Sequence, residues 1–136
     1  MRTSKRGAAN AAAQRRIDLQ AGRALTSTVR ETFPQVGVIH VHLGFSEHNP
    51  PPSPQLHSLY PAARAFFRFS CPCADCDGEF DLAAVVAELV SASSPAKQKV
   101  RSATGRTQCQ GVHSRTSDHS EPCRIELDFR VAVNLI

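Results

Sequence analysis

The sequence predicts an α+β domain: a four-stranded antiparallel sheet with two helices on one face, in the order αββαββ, stabilised by zinc. Three observations predict it. Residues 124–135 alternate apolar and polar side chains, with Ile125, Leu127, Phe129, Val131, Val133 and Leu135 on one face and Arg124, Glu126, Asp128, Arg130 and Asn134 on the other. Alternation this regular marks an antiparallel sheet with one wet face. Leu82, Val85, Val86 and Leu89 instead follow the i, i+3, i+4, i+7 spacing of an amphipathic helix. Finally, of five cysteines, three lie between positions 71 and 76, too close together to staple distant loops.

A length of 136 residues suits one domain with a working core. The expected organisation is a disordered basic tail at residues 1–9 and a single zinc-binding α+β domain at 10–136, interrupted by a Pro-rich loop at 46–61. Asn10 is a fair N-cap for a helix running to Thr32, which Pro34 ends. Along it Ile17, Ala21, Ala24, Leu25, Thr28 and Val29 share a face, while Arg16, Arg23 and Arg30 recur every seven residues on another. Val36–Phe45 alternates as a strand. Residues 46–61 hold five prolines and read as a long loop. A second strand is expected over Ala63–Cys71, with Ala63, Ala65, Phe67, Phe69 and Cys71 on one face. Asp81 then caps the second helix, with Phe80 placed to staple onto Val85. Lys97–Arg106 reads as a basic loop leading to a third strand near Thr107–Val112. A polar turn at 114–122 precedes the fourth strand.

The run Cys71-Pro72-Cys73-Ala74-Asp75-Cys76-Asp77-Gly78 carries the chemistry. Two residues between Cys73 and Cys76 let a tight turn bring both sulfurs to within about 2.3 Å of one ion. Closed structural zinc sites take four ligands. Cys109 and Cys123, brought to one sheet end by the last two strands, supply the other pair. The expected metal ligands are therefore Cys73, Cys76, Cys109 and Cys123, with Cys71, His113 and His119 as substitutes. Cys71 shares the Phe67/Phe69 face of its strand, which favours a buried thiol. The knuckle resembles that of zinc-ribbon and related four-cysteine domains over Cys71 to Gly78. The resemblance implies a structural Zn2+. The chain departs from that pattern in its second pair, which is not a second Cys-x-x-Cys. Crowded cysteines without a secretory signal peptide point to metal ligation in a reducing, cytoplasmic setting rather than to disulfides. No run approaches the roughly 18 apolar residues of a membrane span.

Charge is uneven. Residues 1–30 carry seven basic groups and one acid, residues 31–136 nine and eleven. A basic helix suggests a phosphate-rich partner, DNA or RNA. Arg16, Arg23, Arg30, Lys97, Lys99, Arg101 and Arg106 are the candidate phosphate contacts. Arg64, Phe66 and Arg68 interleave basic and aromatic groups, as strands that bind RNA do. Two other functions compete with this reading. A protein–protein adaptor would use the Pro-rich loop, because proline pre-orders extended peptide. A zinc- or thiol-dependent enzyme is suggested by Pro72-Cys73-x-x-Cys76, half of a deaminase signature. Its usual upstream His-x-Glu is missing. The one such triplet, His119-Ser120-Glu121, lies downstream. No catalytic residue is therefore assigned, and a non-enzymatic binding module is the favoured reading.

Overall fold

A computed structural model describes residues 4–73, 76–92, 99–116 and 119–136, and their side chains apart from residues 4–11, 113–116 and 119–120. In chain order the elements are α1 (Ser4–Leu25), α2 (Val29–Thr32), β1 (Val36–Ser46), β2 (Gln55–Leu59), β3 (Arg68–Ser70), β4 (Glu79–Asp81), α3 (Ala83–Ser91), β5 (Val100–Gln108), β6 (Val112–Thr116), β7 (His119–Pro122) and β8 (Glu126–Leu135). The expected four-stranded antiparallel sheet is present, in the order β2-β1-β8-β5. Two small hairpins, β3–β4 and β6–β7, stand apart from it.

Sheet membership differs from expectation, for reasons that lie in the backbone. Ala63–Cys71 is not a sheet strand. Val29 N–H donates to Ala63 O at 2.8 Å, and Ala65 N–H donates to Ser27 O at 2.8 Å. Those groups therefore serve the α1–α2 junction, where Arg64 forms an isolated bridge with Thr28, and Arg68–Ser70 pairs with β4. The missing strand comes from the Pro-rich segment. Between Pro54 and Pro61 lie six residues without proline, enough for β2, which occupies the sheet edge, where neighbouring prolines are tolerated. The other edge is β5, read from sequence as a basic loop. Its positions opposite Val133, Val131 and Phe129 are Arg101, Ala103 and Gly105, so it lacks the apolar alternation that would announce a strand.

The single helix expected over Asn10–Thr32 is divided, and helix begins at Ser4. Thr28 forms a capping box: its hydroxyl accepts from Glu31 N–H at 3.2 Å, and Glu31 Oε1 accepts from Thr28 N–H at 3.2 Å. A reciprocal cap of this kind starts a new helix rather than continuing an old one. Near α3, Asp81 belongs to β4, and its carboxylate accepts from Ala83 N–H at 2.9 Å. The cap position itself falls to Leu82.

One apolar core runs from the inner face of the sheet to the cysteines. Ile39, Val41, Leu43, Ile125, Leu127, Val131 and Val133 are buried on the strands and their approaches, and Val86 and Val90 of α3 cover β5 and β8. Each such side chain contributes about 1.5–3 kcal/mol through burial. The two helices do not share one sheet face. α1 lies against β6 and β3, turning Ala12 and Leu19 inward. The hairpins thus stand beside α1 at one end of the sheet, and the cysteines are there.

Candidate metal centre

Four segments deliver the thiols. Cys71 follows β3, Cys76 lies three residues before the start of β4, Cys109 directly follows β5, and Cys123 lies between β7 and β8. Backbone bonds fix the junctions. Cys71 N–H donates to Gly78 O at 3.0 Å, Cys109 N–H to Ile125 O at 3.0 Å, and Cys123 N–H to Gly111 O at 2.9 Å.

The Sγ atoms of Cys71, Cys76, Cys109 and Cys123 lie within 4.8 Å of one another, and all four residues are buried. Cys71 and Cys123 are 3.8 Å apart and Cys76 and Cys109 3.7 Å. A disulfide brings sulfurs to about 2.05 Å, and none of the five cysteines forms one. Four sulfurs each about 2.3 Å from a tetrahedral ion stand about 3.8 Å from one another. Two opposite edges of the group therefore already have the length that a tetrahedral thiolate site requires.

The surroundings are arranged for thiolates. Gly78 N–H donates to Cys76 Sγ and Gly111 N–H to Cys109 Sγ, both at 3.3 Å. Cys73 N–H donates to Cys71 Sγ. In each case the donor lies two residues after the acceptor, so three tight turns aim backbone dipoles at the sulfurs and favour negative charge there. Side chains are excluded at two of those turns. A Cβ on Gly78 would collide with Cys109 Sγ, and one on Gly111 would meet Cys76 Sγ at 2.8 Å and the backbone of Gly78 more closely still. The Cys76-x-Gly78 and Cys109-x-Gly111 turns interlock, each glycine making room for the other's sulfur.

Without a cation the group resists ionisation. The Cys109 sulfur raises Cys76 most, Cys71 opposes it, burial adds to the rise, and the thiol is pushed up to about 12. Cys109 is likewise pushed up to about 12, chiefly by Cys71, against a lowering contact with Cys76, with burial adding. For Cys71 the contact with Cys109 favours the thiolate, but Cys76 and burial outweigh it and the net direction is up. Several buried negative charges cannot coexist without a compensating ion. Donors poised for thiolates, around thiols that cannot ionise alone, fit a site that a metal completes.

Cys73, expected from its spacing to Cys76, is placed outside this group of four, and Cys71 is in it. Cys73 provides backbone instead. Its carbonyl accepts from Cys76 N–H at 3.3 Å and from Arg16 Nη2 at 2.8 Å. Arg16 also reaches Cys71 O at 3.4 Å, so a helix arginine braces the knuckle. Nearby, Glu79 accepts from Arg68 through two bonds of 2.9 and 2.6 Å and pairs with Arg15 at 3.6 Å. His113 and His119 belong to β6 and β7, and their side chains lie outside the described residues.

Comparison with protein-family models, with curated proteins and with solved structures finds no match.

The basic residues separate. Arg16 and Arg23 line one cleft beside β2 and β3, whereas Arg30 belongs to α2, because the break at Thr28 interrupts the seven-residue repeat. Arg101 donates to Leu89 O and Val90 O at 2.9 and 3.0 Å, closing the C-terminal end of α3. Arg106 pairs with Asp128 at 2.7 Å and Glu126 at 3.9 Å. Lys99 is exposed, and Lys97 lies outside the described residues. These cations do not form one stripe.

Two features of the sequence bear on which cysteines form the group. One is the repeated Cys-x-Gly at 76–78 and 109–111, where a small residue frees the amide that meets the sulfur. The other is the place of Cys71 on the buried Phe67/Phe69 face, since the four-cysteine group is itself part of the core.

Proposed function

We propose that this chain is a small, non-enzymatic binding module held together by a structural zinc ion on Cys71, Cys76, Cys109 and Cys123, which meets nucleic acid through its basic first helix. The observation that carries the zinc reading is the set of four buried sulfurs within 4.8 Å of one another, two opposite edges of which have the tetrahedral length. Tetrahedral four-sulfur sites select zinc or iron–sulfur centres. Sulfurs this close converge on a single ion and leave no room for a multi-iron cluster. Four thiolates also leave no open coordination position, which favours a structural over a catalytic role. When bound, the ion supplies charge neutralisation and a crosslink between four segments. Metal analysis of protein purified without added zinc, with thermal melting before and after chelation, tests this. One zinc per chain and a large fall in Tm on chelation are expected. Metal-free protein with an unchanged melt refutes it.

The nucleic-acid reading rests on the excess of arginine along α1 and on the absence of carboxylates among the described residues of the cleft it borders. Phosphate contacts make affinity fall with salt. An electrophoretic shift that is absent for DNA and RNA at low salt refutes it.

A protein–protein adaptor is the second reading, and one observation favours it. β2 arises inside the Pro-rich segment as an edge strand, with Leu56 and Tyr60 both 59% exposed. An open edge can add a partner's strand. Substituting Pro for Ser58 in β2 should then abolish capture of that partner while metal content is preserved.

A further inference from the structure

Two adjoining hollows of about 310 and 350 Å3 run between α1, β2 and the segment leading into β3. They share Arg23, His57 and Phe69, so they form one cleft. A volume of this order suits a ligand of small-molecule size. Among the described residues its lining contains Arg16, Arg23, Arg64 and Arg68 and no aspartate or glutamate. Three of these guanidiniums have protein partners. Arg16 holds the knuckle carbonyls, Arg64 donates to Thr26 O at 2.9 Å, and Arg68 is bound by Glu79. Arg23 differs. Its guanidinium lies over the Phe66 ring, 5.6 Å from the centroid, and its donors make no hydrogen bond or ion pair among the described residues.

The remaining walls are aromatic and polar. Phe69 and His57 are in ring contact, with centroids 4.8 Å apart. His57 Nε2 is 3.0 Å from Gln55 Oε1. Burial, and then the charge of Arg23, lower the His57 pKa, which favours the neutral ring, so it offers hydrogen-bonding atoms rather than a second cation. β2 is the edge strand of the sheet, so backbone groups on its outer side are not engaged by a neighbouring strand. An unspent guanidinium, aromatic faces and hydrogen-bonding edges thus converge on one cavity whose described lining holds no carboxylate. These are the elements by which proteins hold a nucleotide unit: a cation for the phosphate, rings for the base and polar edges for its rim.

We propose that this cleft is a nucleotide-binding site, with Arg23 on the phosphate and the Phe66–His57–Phe69 wall against the base. The proposal deepens the nucleic-acid reading above and rests on it for the class of ligand. The same chemistry is offered by a free nucleotide and by one residue of a single strand, and the test separates them.

Fluorescence anisotropy with a labelled single-stranded oligothymidylate, competed by adenosine monophosphate or by inorganic phosphate, provides the assay. Metal content and Tm serve as folding controls for every variant. Arg23→Ala should weaken binding by about ten- to a hundredfold, the loss of one charge-assisted hydrogen bond. Phe66→Leu, which keeps an apolar side chain but loses the ring, should weaken it as well. Arg30→Ala, on α2 and outside the cleft, should leave it unchanged. Binding that responds to Arg30→Ala but not to Arg23→Ala would overturn the cleft, keeping nucleic acid as the partner but moving the contact from α1 to α2. Binding of the mononucleotide alone would support the cleft and remove the polymer as partner. Competition by inorganic phosphate as strong as that by the nucleotide would overturn the role of the aromatic wall. No binding of any probe would overturn both readings.

Discussion

Cys71→Ala and Cys73→Ala truncate neighbouring buried thiols, and the two should behave oppositely toward metal. Cys71 Sγ lies 3.8 Å from Cys123 Sγ, within the group of four. The Cys73 sulfur is outside that group. Both variants lose similar packing, about 1–2 kcal/mol for a small buried side chain, so melting without metal should drop comparably. The difference appears when metal is present. An ion that binds only the folded state adds about 2.7 kcal/mol at a hundredfold excess over its Kd. For a chain of 136 residues, 1 kcal/mol moves Tm by about 4 °C. Zinc should therefore raise the Tm of the parent and of Cys73→Ala by roughly 10 °C under those conditions, and that of Cys71→Ala by much less. Metal stoichiometry gives the direct readout. Cys73→Ala should retain one ion per chain, and Cys71→Ala should lose it or bind far more weakly. Cobalt substitution adds a spectroscopic check, since four thiolates and three give different ligand-field spectra. The reasoning is refuted if Cys73→Ala empties the site while Cys71→Ala leaves it full.

The interlocked turns give a sharper steric test. Gly78→Ala and Gly111→Ala each place a methyl group against the opposite sulfur, and each should cost about 1–3 kcal/mol by overpacking, with reduced metal content by elemental analysis. Arg16→Ala removes the brace on Cys73 O and should lower Tm by the equivalent of about 1.5–3 kcal/mol; Arg16→Lys should recover only part, because one ammonium replaces a planar fork. Acid should destabilise the fold through His57. Its folded pKa lies below the ordinary value of 6.5, so its contribution is complete above that value and declines as pH falls through the folded pKa. His57→Gln should flatten that limb in pH-dependent melts. Protons also compete with metal for thiolates, so zinc retention by the parent should fail on acidification, independently of His57.

The legible parts of the fold were those whose side chains repeat. β1 and β8 alternate over ten or more residues, and α3 carries a helical apolar face, so periodicity alone locates them. β5 escaped notice because its core-facing positions are Arg101, Ala103 and Gly105, none of which supplies an apolar signal. β2 was hidden by the prolines around it. The error at Ala63–Cys71 had a different origin: its alternation is real, but the α1–α2 junction takes its backbone hydrogen bonds, and no pattern of side chains reveals that competition. Spacing identified the neighbourhood of the metal group but favoured Cys73 over Cys71, because Cys-x-x-Cys is the shortest knuckle. The choice between them turns on which sulfur the turn presents to Cys109 and Cys123, and that depends on contacts across 33 and 52 residues of chain.

The hydrogen bonds from Arg16 to the carbonyls of Cys71 and Cys73 have a thermodynamic corollary. Arg16 lies on the helix that forms one wall of the cleft, and it grips the turn that forms one corner of the metal group. Arg16 therefore ties the two places directly, beside the Arg15–Glu79 pair. If metal orders that turn, and the turn orders the helix, then zinc and a cleft ligand raise each other's affinity by the same factor, as reciprocity between linked equilibria demands. Titrating one in the presence and absence of the other measures that factor directly, and Arg16→Ala should bring it toward one.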